Sequence, residues 1–316
     1  MSTVNITILG ACSHIAKGLI YNLKPSAKSK LHLYTTSPQQ SYIFAHDICR
    51  LPEHAYSINE GYHSFMSKKH DVIINCIGVG TQRKIRGDYT KYFIVGEKFD
   101  NMIIEYLQNY SPETLYINIS SGAVYGRSFT GPVSEWSENA LTVNHIMQED
   151  YYSICKLNSE AKHRAFSHLK IVDLRLFSYF SRFADISDGY FITDIIDSIK
   201  SNKKLKTNTT NIIRDYVHPV DLCSIVHICI QINNINDAYD VMSTKPVNKT
   251  EILDYFSKNY GLKYSIDSSI VEQTPTGVKD IYYSKYFKIA KIGYIPSYSS
   301  LDTVIQEASY LLEDKK

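Results

Sequence analysis

Cysteine is scarce in this chain, and none of it is paired in sequence. The six cysteines, at 12, 49, 76, 155, 223 and 229, include no Cys-x-x-Cys and lie mostly in apolar segments. That excludes a zinc knuckle and a disulfide scaffold, and predicts reduced thiols in a cytosolic core. The eleven histidines show no His-Glu-x-x-His or similar spacing, so no metal site is expected. Charge of one sign is lacking too. A net charge of +2 argues against a polyanion partner, and the run Lys203-Lys204-Leu205-Lys206 reads as solvated surface, so neither nucleic acid nor membrane is expected as a partner. No apolar run approaches membrane-spanning length, and the start has no basic-then-apolar leader, which predicts a soluble, cytoplasmic protein.

What is present is length, apolar residues and alternation. The 316 residues, 44% hydrophobic, suffice for a large core and fit a two-lobed α/β enzyme. Strand patterns fall near residues 4 to 9, 31 to 35, 71 to 76, 114 to 119, 170 to 175 and 238 to 241, with helical stretches between them, the longest from Tyr92 to Gln108 and Tyr152 to His168. This order predicts a mostly parallel sheet covered by helices on both faces. Residues 1 to 176, with a strand returning near 238 to 241, form its nominal extent. Residues 177 to 316 are expected to form a smaller, less regular lobe.

Two segments carry the chemistry. Ser120-Ser121-Gly122-Ala123-Val124-Tyr125-Gly126 follows an apolar strand, and Tyr152-Ser153-Ile154-Cys155-Lys156 opens a helical stretch in which a spacing of four puts Tyr and Lys on one face. An ammonium beside a phenol favours the phenolate, which makes Tyr152 a usable proton donor or acceptor. A Ser121 hydroxyl at the strand end can hold the oxygen that gains or loses the proton. The N-terminal run Val4 to Leu19 adds a strand, a turn at Gly10 and an amphipathic helix, the arrangement that receives a pyrophosphate on backbone N–H groups. The fingerprint is imperfect, since Ser13 and Ala16 stand where glycines are usual, and a plain strand-turn-helix satisfies the same pattern.

In this order of motifs the chain resembles the extended short-chain dehydrogenase/reductase family, specifically its nucleotide-sugar epimerases, dehydratases and reductases. Collinear matches continue through Val72 to Gly78, Leu174-Arg175-Leu176-Phe177, Arg214-Asp215-Tyr216-Val217-His218-Pro219-Val220-Asp221, Tyr239 to Ser243, Ser284-Lys285-Tyr286 and Gly293 to Pro296. The resemblance implies a Rossmann-type doubly wound sheet and a nucleotide-diphosphate sugar as substrate. It also implies a homodimer formed through the two long helices. Ser121, Tyr152 and Lys156 become the catalytic residues, and Gly10, Ser13, His14, Ile15, Thr35, Thr36, Cys76 and Lys156 line the cofactor. His14 acts there through its backbone, Arg214 clamps the substrate diphosphate, and Ser178 stands in the sugar site.

The second strand, Leu31-His32-Leu33-Tyr34-Thr35-Thr36-Ser37, ends without the Asp or Glu that binds the NAD ribose. Three hydroxyls suit a 2′-phosphate, and Lys28, Lys30 or Arg50 supplies its counter-charge if the fold brings one near, so NADP(H) is favoured over NAD(H). Family members that remove water carry Asp-Glu after the serine, where this chain has Gly122-Ala123, and those that epimerise carbons 3 and 5 place a Cys close after it. Neither is here. The reading is reduction of a nucleotide-linked 4-keto-6-deoxyhexose for surface polysaccharide, with Tyr152 protonating the forming alkoxide. The alternatives are a 4-epimerase with tightly bound NAD and, from another class, a non-catalytic nucleotide-binding scaffold. Two departures bear on substrate binding: the family commonly has Asn within the stretch here reading Phe93-Ile94-Val95-Gly96, and again at Ser178.

Overall fold

A computed structural model describes residues 3–25, 28–79, 85–127, 129–232, 234–270 and 279–313. Uninterrupted apolar runs make its centre. The first part of the chain alternates β1 (Val4–Leu9), α1 (His14–Leu23), β2 (Ser29–Thr35), α2 (Pro38–Ile43), β3 (Tyr56–Glu60), β4 (Val72–Asn75), α3 (Lys91–Asn109), β5 (Leu115–Ser121), α4 (Gln148–Ala165) and β6 (Ile171–Leu176). Every residue of β4 and β5 is buried, as strands covered by helices on both faces require.

The remainder is built from shorter pieces. These are β7 (Ser178–Tyr179), α5 (Phe191–Lys200), β8 (Leu205–Thr207), β9 (Ile213–Arg214), β10 (Tyr216–Val217), α6 (Pro219–Ile232), β11 (Asn236–Val241), β12 (Val247–Asn248), α7 (Lys249–Tyr260), β13 (Tyr264–Ile266), β14 (Ile281–Tyr282) and α8 (Ser300–Leu312). One sheet of seven strands runs β11-β6-β5-β4-β1-β2-β3, with every pairing parallel. Strand order reverses between β1 and β4, so a crevice opens outside their carboxyl ends. A separate apolar cluster, including Phe180, Ile195, Ile196, Leu253, Phe256 and Val304, fills the space among α5, α7 and α8.

The expected strands are all present, and the structure adds β3, an edge strand with a buried residue only at every third place, too short and too polar to signal itself. The two long helices also differ from expectation at their ends. α4 begins four residues before Tyr152, where the Asp150 carboxylate accepts from the Met147 N–H and closes the first turn, and it ends at Ala165. Beneath α4, His163 lies wholly buried between Asp100, 2.8 Å from Nε2, and Asp173, 2.9 Å from Nδ1. Burial opposes its charge, but the two carboxylates outweigh it and raise the imidazole to about 9. This ion cluster fixes α4, and with it Tyr152, to β6 and α3. Among the described residues no helix is long and apolar enough to cross a membrane.

Candidate functional site

Gly10 ends β1 at a φ of +72°, with Ile77 Cγ1 3.0 Å and the Cys76 carbonyl 3.3 Å from where a Cβ would stand. Only glycine fits both the angle and the space. The next two small residues show why glycine is dispensable there. Ser13 caps α1 by accepting from the Ala16 N–H at 3.3 Å, and Ala16 is wholly buried against the sheet. Ser13, His14 and Ile15 therefore form a helix N-terminus at the mouth of the crevice, suited to a pyrophosphate. The His14 ring turns away to accept from the Ser181 N–H at 3.1 Å, consistent with a backbone role in the turn. Cys76 follows β4 beside Gly10, and burial pushes its thiol up to about 12. Gly18 lies buried within α1. Its Cβ would stand 1.9 Å from the Tyr179 hydroxyl, so it lets α1 approach β7.

The end of β2 departs from expectation. Thr35 is 2% exposed, and its Oγ1 accepts from the Ser37 N–H at 2.9 Å while Cys12 Sγ lies 3.4 Å away. Its hydroxyl ties the turn together and is not presented to a ribose. Thr36 is exposed and remains available. Lys30 pairs with Asn5 at the amino end of β2, and Lys28 precedes that strand, so both lie roughly 17 Å or more along the strand from Thr35. Arg50 is exposed in the segment leading to the amino end of β3. Neither lysine reaches the ribose end. An acid does: Glu60, exposed at the carboxyl end of β3, pairs with Thr35. The sequence reading missed it because β3 was missed.

Across the crevice, β5 and α4 bring the remaining motif residues together. Lys156 Nζ donates to the Ile119 carbonyl at 3.0 Å and sits 5.9 Å from the Tyr152 ring centre. A cavity of about 30 Å³ lies beside them, lined by Asn75, Tyr92, Asn118, Tyr152 and Lys156, with room for a water or two. Ser120 and Ser121 point to opposite sides of β5. Ser120 donates to Glu160 at 2.6 Å and joins a buried chain through Arg175 to Asp240, which accepts from Ser284 at 2.6 Å. Ser121 Oγ accepts from the Ala123 N–H at 3.1 Å and lies 3.2 Å from the Tyr282 hydroxyl. Burial raises the Tyr282 phenol, the Ser121 hydrogen bond opposes this, and the neighbouring Tyr152 adds to the rise. Tyr282 thus links Ser121 and Tyr152 in space.

The positions after the serine are closed to larger side chains. A Cβ on Gly122 would stand 2.5 Å from the Phe177 ring, and Ala123 is 1% exposed. A dehydratase's Asp-Glu pair has no room there.

The facing wall holds Arg214 on β9 and Tyr282 on β14, paired in register, with the Arg214 guanidinium 6.0 Å from the Tyr282 ring centre. Arg214 donates to the Ile213 carbonyl at 3.0 Å. Asp215 faces inward instead and accepts from Ser243 N–H at 3.0 Å and Ser300 Oγ at 3.1 Å. Beside them stands a residue that the sequence reading did not find. Lys279 is 5% exposed, its Nζ lies 4.5 Å from the Tyr282 ring centre and 5.2 Å from that of Phe129, and it has no hydrogen-bond partner among the described residues. Burial, helped by Arg214, lowers its ammonium to about 7. No motif or periodicity marks it. Ser178 lies on β7, paired with Tyr216 of β10. Among the described residues no cluster of His, Cys, Asp or Glu could hold a metal ion.

The NAD dependent epimerase/dehydratase family matches residues 15–242, most of this chain. The chain belongs to that family. No curated protein matches it significantly. Solved structures extend the likeness of fold over the full length. UDP-N-acetylglucosamine 4-epimerase from Methanobrevibacter ruminantium, in complex with UDP-N-acetylmuramic acid, is 16% identical, with a TM-score of 0.80 and 99% of each chain covered. UDP-glucose-4-epimerase from Stenotrophomonas maltophila, with NAD bound, is 13% identical, with a TM-score of 0.81 and 98% of each covered. dTDP-glucose 4,6-dehydratase from Bacillus anthracis, in complex with NAD, is 15% identical, with a TM-score of 0.76, covering 99% of this chain and 98% of that one.

Proposed function

We propose that this family member exchanges a hydride and a proton at carbon 4 of a nucleotide-linked sugar, and that it works as a reductase of a 4-keto-6-deoxyhexose. One observation carries the reading: Lys156 stands beside Tyr152, and Tyr282, a neighbour of Tyr152, contacts Ser121, while a side chain at position 122, where a dehydratase has an acid, would run into Phe177. A nicotinamide dinucleotide, when bound, supplies the hydride. The turn of Gly10, Ser13, His14 and Ile15 holds its pyrophosphate, Cys76 and Thr36 flank it, and Lys156 holds a ribose. Ser121 donates to the ketone oxygen. As carbon 4 gains hydride, Tyr152 gives its proton to that oxygen and becomes a phenolate, which Lys156 stabilises. The balance is one ketone, one hydride and one proton giving one alcohol.

Arg214 and Lys279 hold the diphosphate, a planar fork beside a point charge. A buried Lys279 ammonium with no hydrogen-bond partner among the described residues supports an anionic ligand there. Residues 1–176 with β11 act as the dinucleotide lobe and the rest of 177–316 as the substrate lobe. Two copies associate through α3 and α4, whose Ile94 and Leu157 are 63% and 39% exposed.

The absence of an acid on β2 supports NADP(H). Glu60, one strand away, supports the second reading, a 4-epimerase that keeps NAD, because its carboxylate would oppose a 2′-phosphate. The known complexes of 4-epimerases with NAD agree with that second reading. Release of bound nucleotide from the purified protein tests the choice. An empty protein that oxidises NADPH with a nucleotide-linked 4-keto-6-deoxyhexose supports the reductase. Stoichiometric NAD, with inversion of a nucleotide hexose at carbon 4, overturns it in favour of the epimerase.

A further inference from the structure

The Ser121 hydroxyl can donate one hydrogen bond and accept two. One acceptor position is taken by the Ala123 N–H at 3.1 Å. Tyr282, from the opposite lobe, lies 3.2 Å from the same oxygen, and distance alone does not say which hydroxyl donates. Two facts favour Tyr282 as the donor. A phenol is the stronger acid and the better donor. Burial keeps the Tyr282 phenol protonated.

We infer that Tyr282 is a positioning residue that sets the direction of the Ser121 hydroxyl: with Ala123 N–H it fills both acceptor positions, so the single serine hydrogen points at the substrate oxygen. The serine is thereby a donor only. That polarity suits an oxygen that is ketone in one state and developing alkoxide in the other, and a donor already accepting a hydrogen bond gives a stronger one. The Tyr282 ring is held for this task by Phe177 at 5.1 Å, Phe129 at 5.3 Å and the Lys279 ammonium at 4.5 Å. Because β14 carries the phenol, the substrate lobe completes the proton-handling group that β5 and α4 begin. The inference rests on the proposed contact of Ser121 with the reacting oxygen.

A double-mutant cycle tests it. Tyr282→Phe keeps the ring and its neighbours and removes the donor. It should lower kcat by about tenfold, the effect of one hydrogen bond, with KM changed less than about twofold. In the Ser121→Ala background the same change should cost nothing further. A tenfold loss in both backgrounds would mean that Tyr282 acts on the substrate directly, and an unchanged kcat in Tyr282→Phe would mean that it acts on nothing; either overturns the inference. If Ser121→Ala itself leaves kcat unchanged, the reading of the site fails first, which separates the two failures. The carbonyl stretch of the 4-keto sugar, bound with oxidised cofactor, gives a reading independent of turnover. It should move towards its frequency in solution in Tyr282→Phe and in Ser121→Ala alike, and a Tyr282→Phe spectrum identical to wild type overturns the inference.

Discussion

The two walls of the crevice are made of different material. One wall comes from the carboxyl ends of β1 and β5 and one face of α4, long regular elements in which spacing dictates direction. The other comes from β9 and β14, strands of two residues each, together with Phe129 and Lys279. The first wall holds Tyr152 and Lys156, the proposed proton-transfer pair, and the second holds Arg214, Lys279 and Tyr282. A regular wall can be varied only within its periodicity, whereas an irregular wall can change its ligand without disturbing the sheet.

The difference can be broken most severely at Tyr152. Tyr152→Phe should lower turnover by about a hundredfold or more and leave dinucleotide affinity within a few fold, since general acid catalysis is typically worth about 10² to 10⁴. Steady-state kinetics with a binding titration checks this, and near-normal turnover would remove the regular wall from the chemistry. On the irregular wall, Arg214→Ala should raise KM for the nucleotide sugar by about 10- to 100-fold with kcat little changed, because a charge-assisted hydrogen bond contributes about 1.5 to 3 kcal/mol. Arg214→Lys should recover only part of that, the charge returning without the fork.

Lys279 sharpens the contrast through pH. Its ammonium is lowered to about 7 by burial and by Arg214, and a bound anion raises it again. Anion affinity is therefore highest below pH 7 and falls as pH rises through 7, with a proton taken up on binding near neutrality. Calorimetry with a nucleotide-linked sugar, whose diphosphate diester keeps one charge throughout, should show a several-fold weakening from about pH 6 to about pH 8.5 in wild type, and none in Lys279→Met.

The regular wall was largely legible in the sequence, because a four-residue spacing on a helix and two serines at a strand end determine where side chains go. Thr35 was misplaced for a related reason. Strand alternation gives the face a residue points to, but not that its hydroxyl is consumed by Ser37 two residues on. Lys279 and Tyr282 were not legible, since a two-residue strand and the residues before it have no period, and the meeting of Tyr282 with Ser121 joins positions 161 apart in sequence. Glu60 went unseen with the edge strand that carries it.

Smaller effects separate the cofactor readings. Thr36→Asp should weaken NADPH relative to NADH by placing a second carboxylate near that of Glu60, measured as the ratio of the two dissociation constants. Equal weakening of both would place Thr36 away from the ribose. Thr35→Asp would instead bury a charge and lower stability. The smallest expected effect is on pH-dependent stability. His163 is raised from 6.5 to about 9 by Asp173 and Asp100 against the cost of burial, so its contribution is complete below pH 6.5 and is lost as pH rises through 9. The Tm difference between wild type and His163→Gln should shrink between about pH 7 and about pH 10, and a constant difference would mean that the imidazole does not titrate in the folded protein.

The most direct test of the central claim is the fate of a labelled hydride. With a nucleotide-linked 4-keto-6-deoxyhexose and dinucleotide deuterated at the nicotinamide carbon 4, the product should carry one deuterium, at carbon 4 of the sugar, formed by wild type and at a rate reduced by about a hundredfold or more by Tyr152→Phe. Deuterium at any other carbon, or a 4-keto sugar recovered unchanged with both NADPH and NADH, would contradict it.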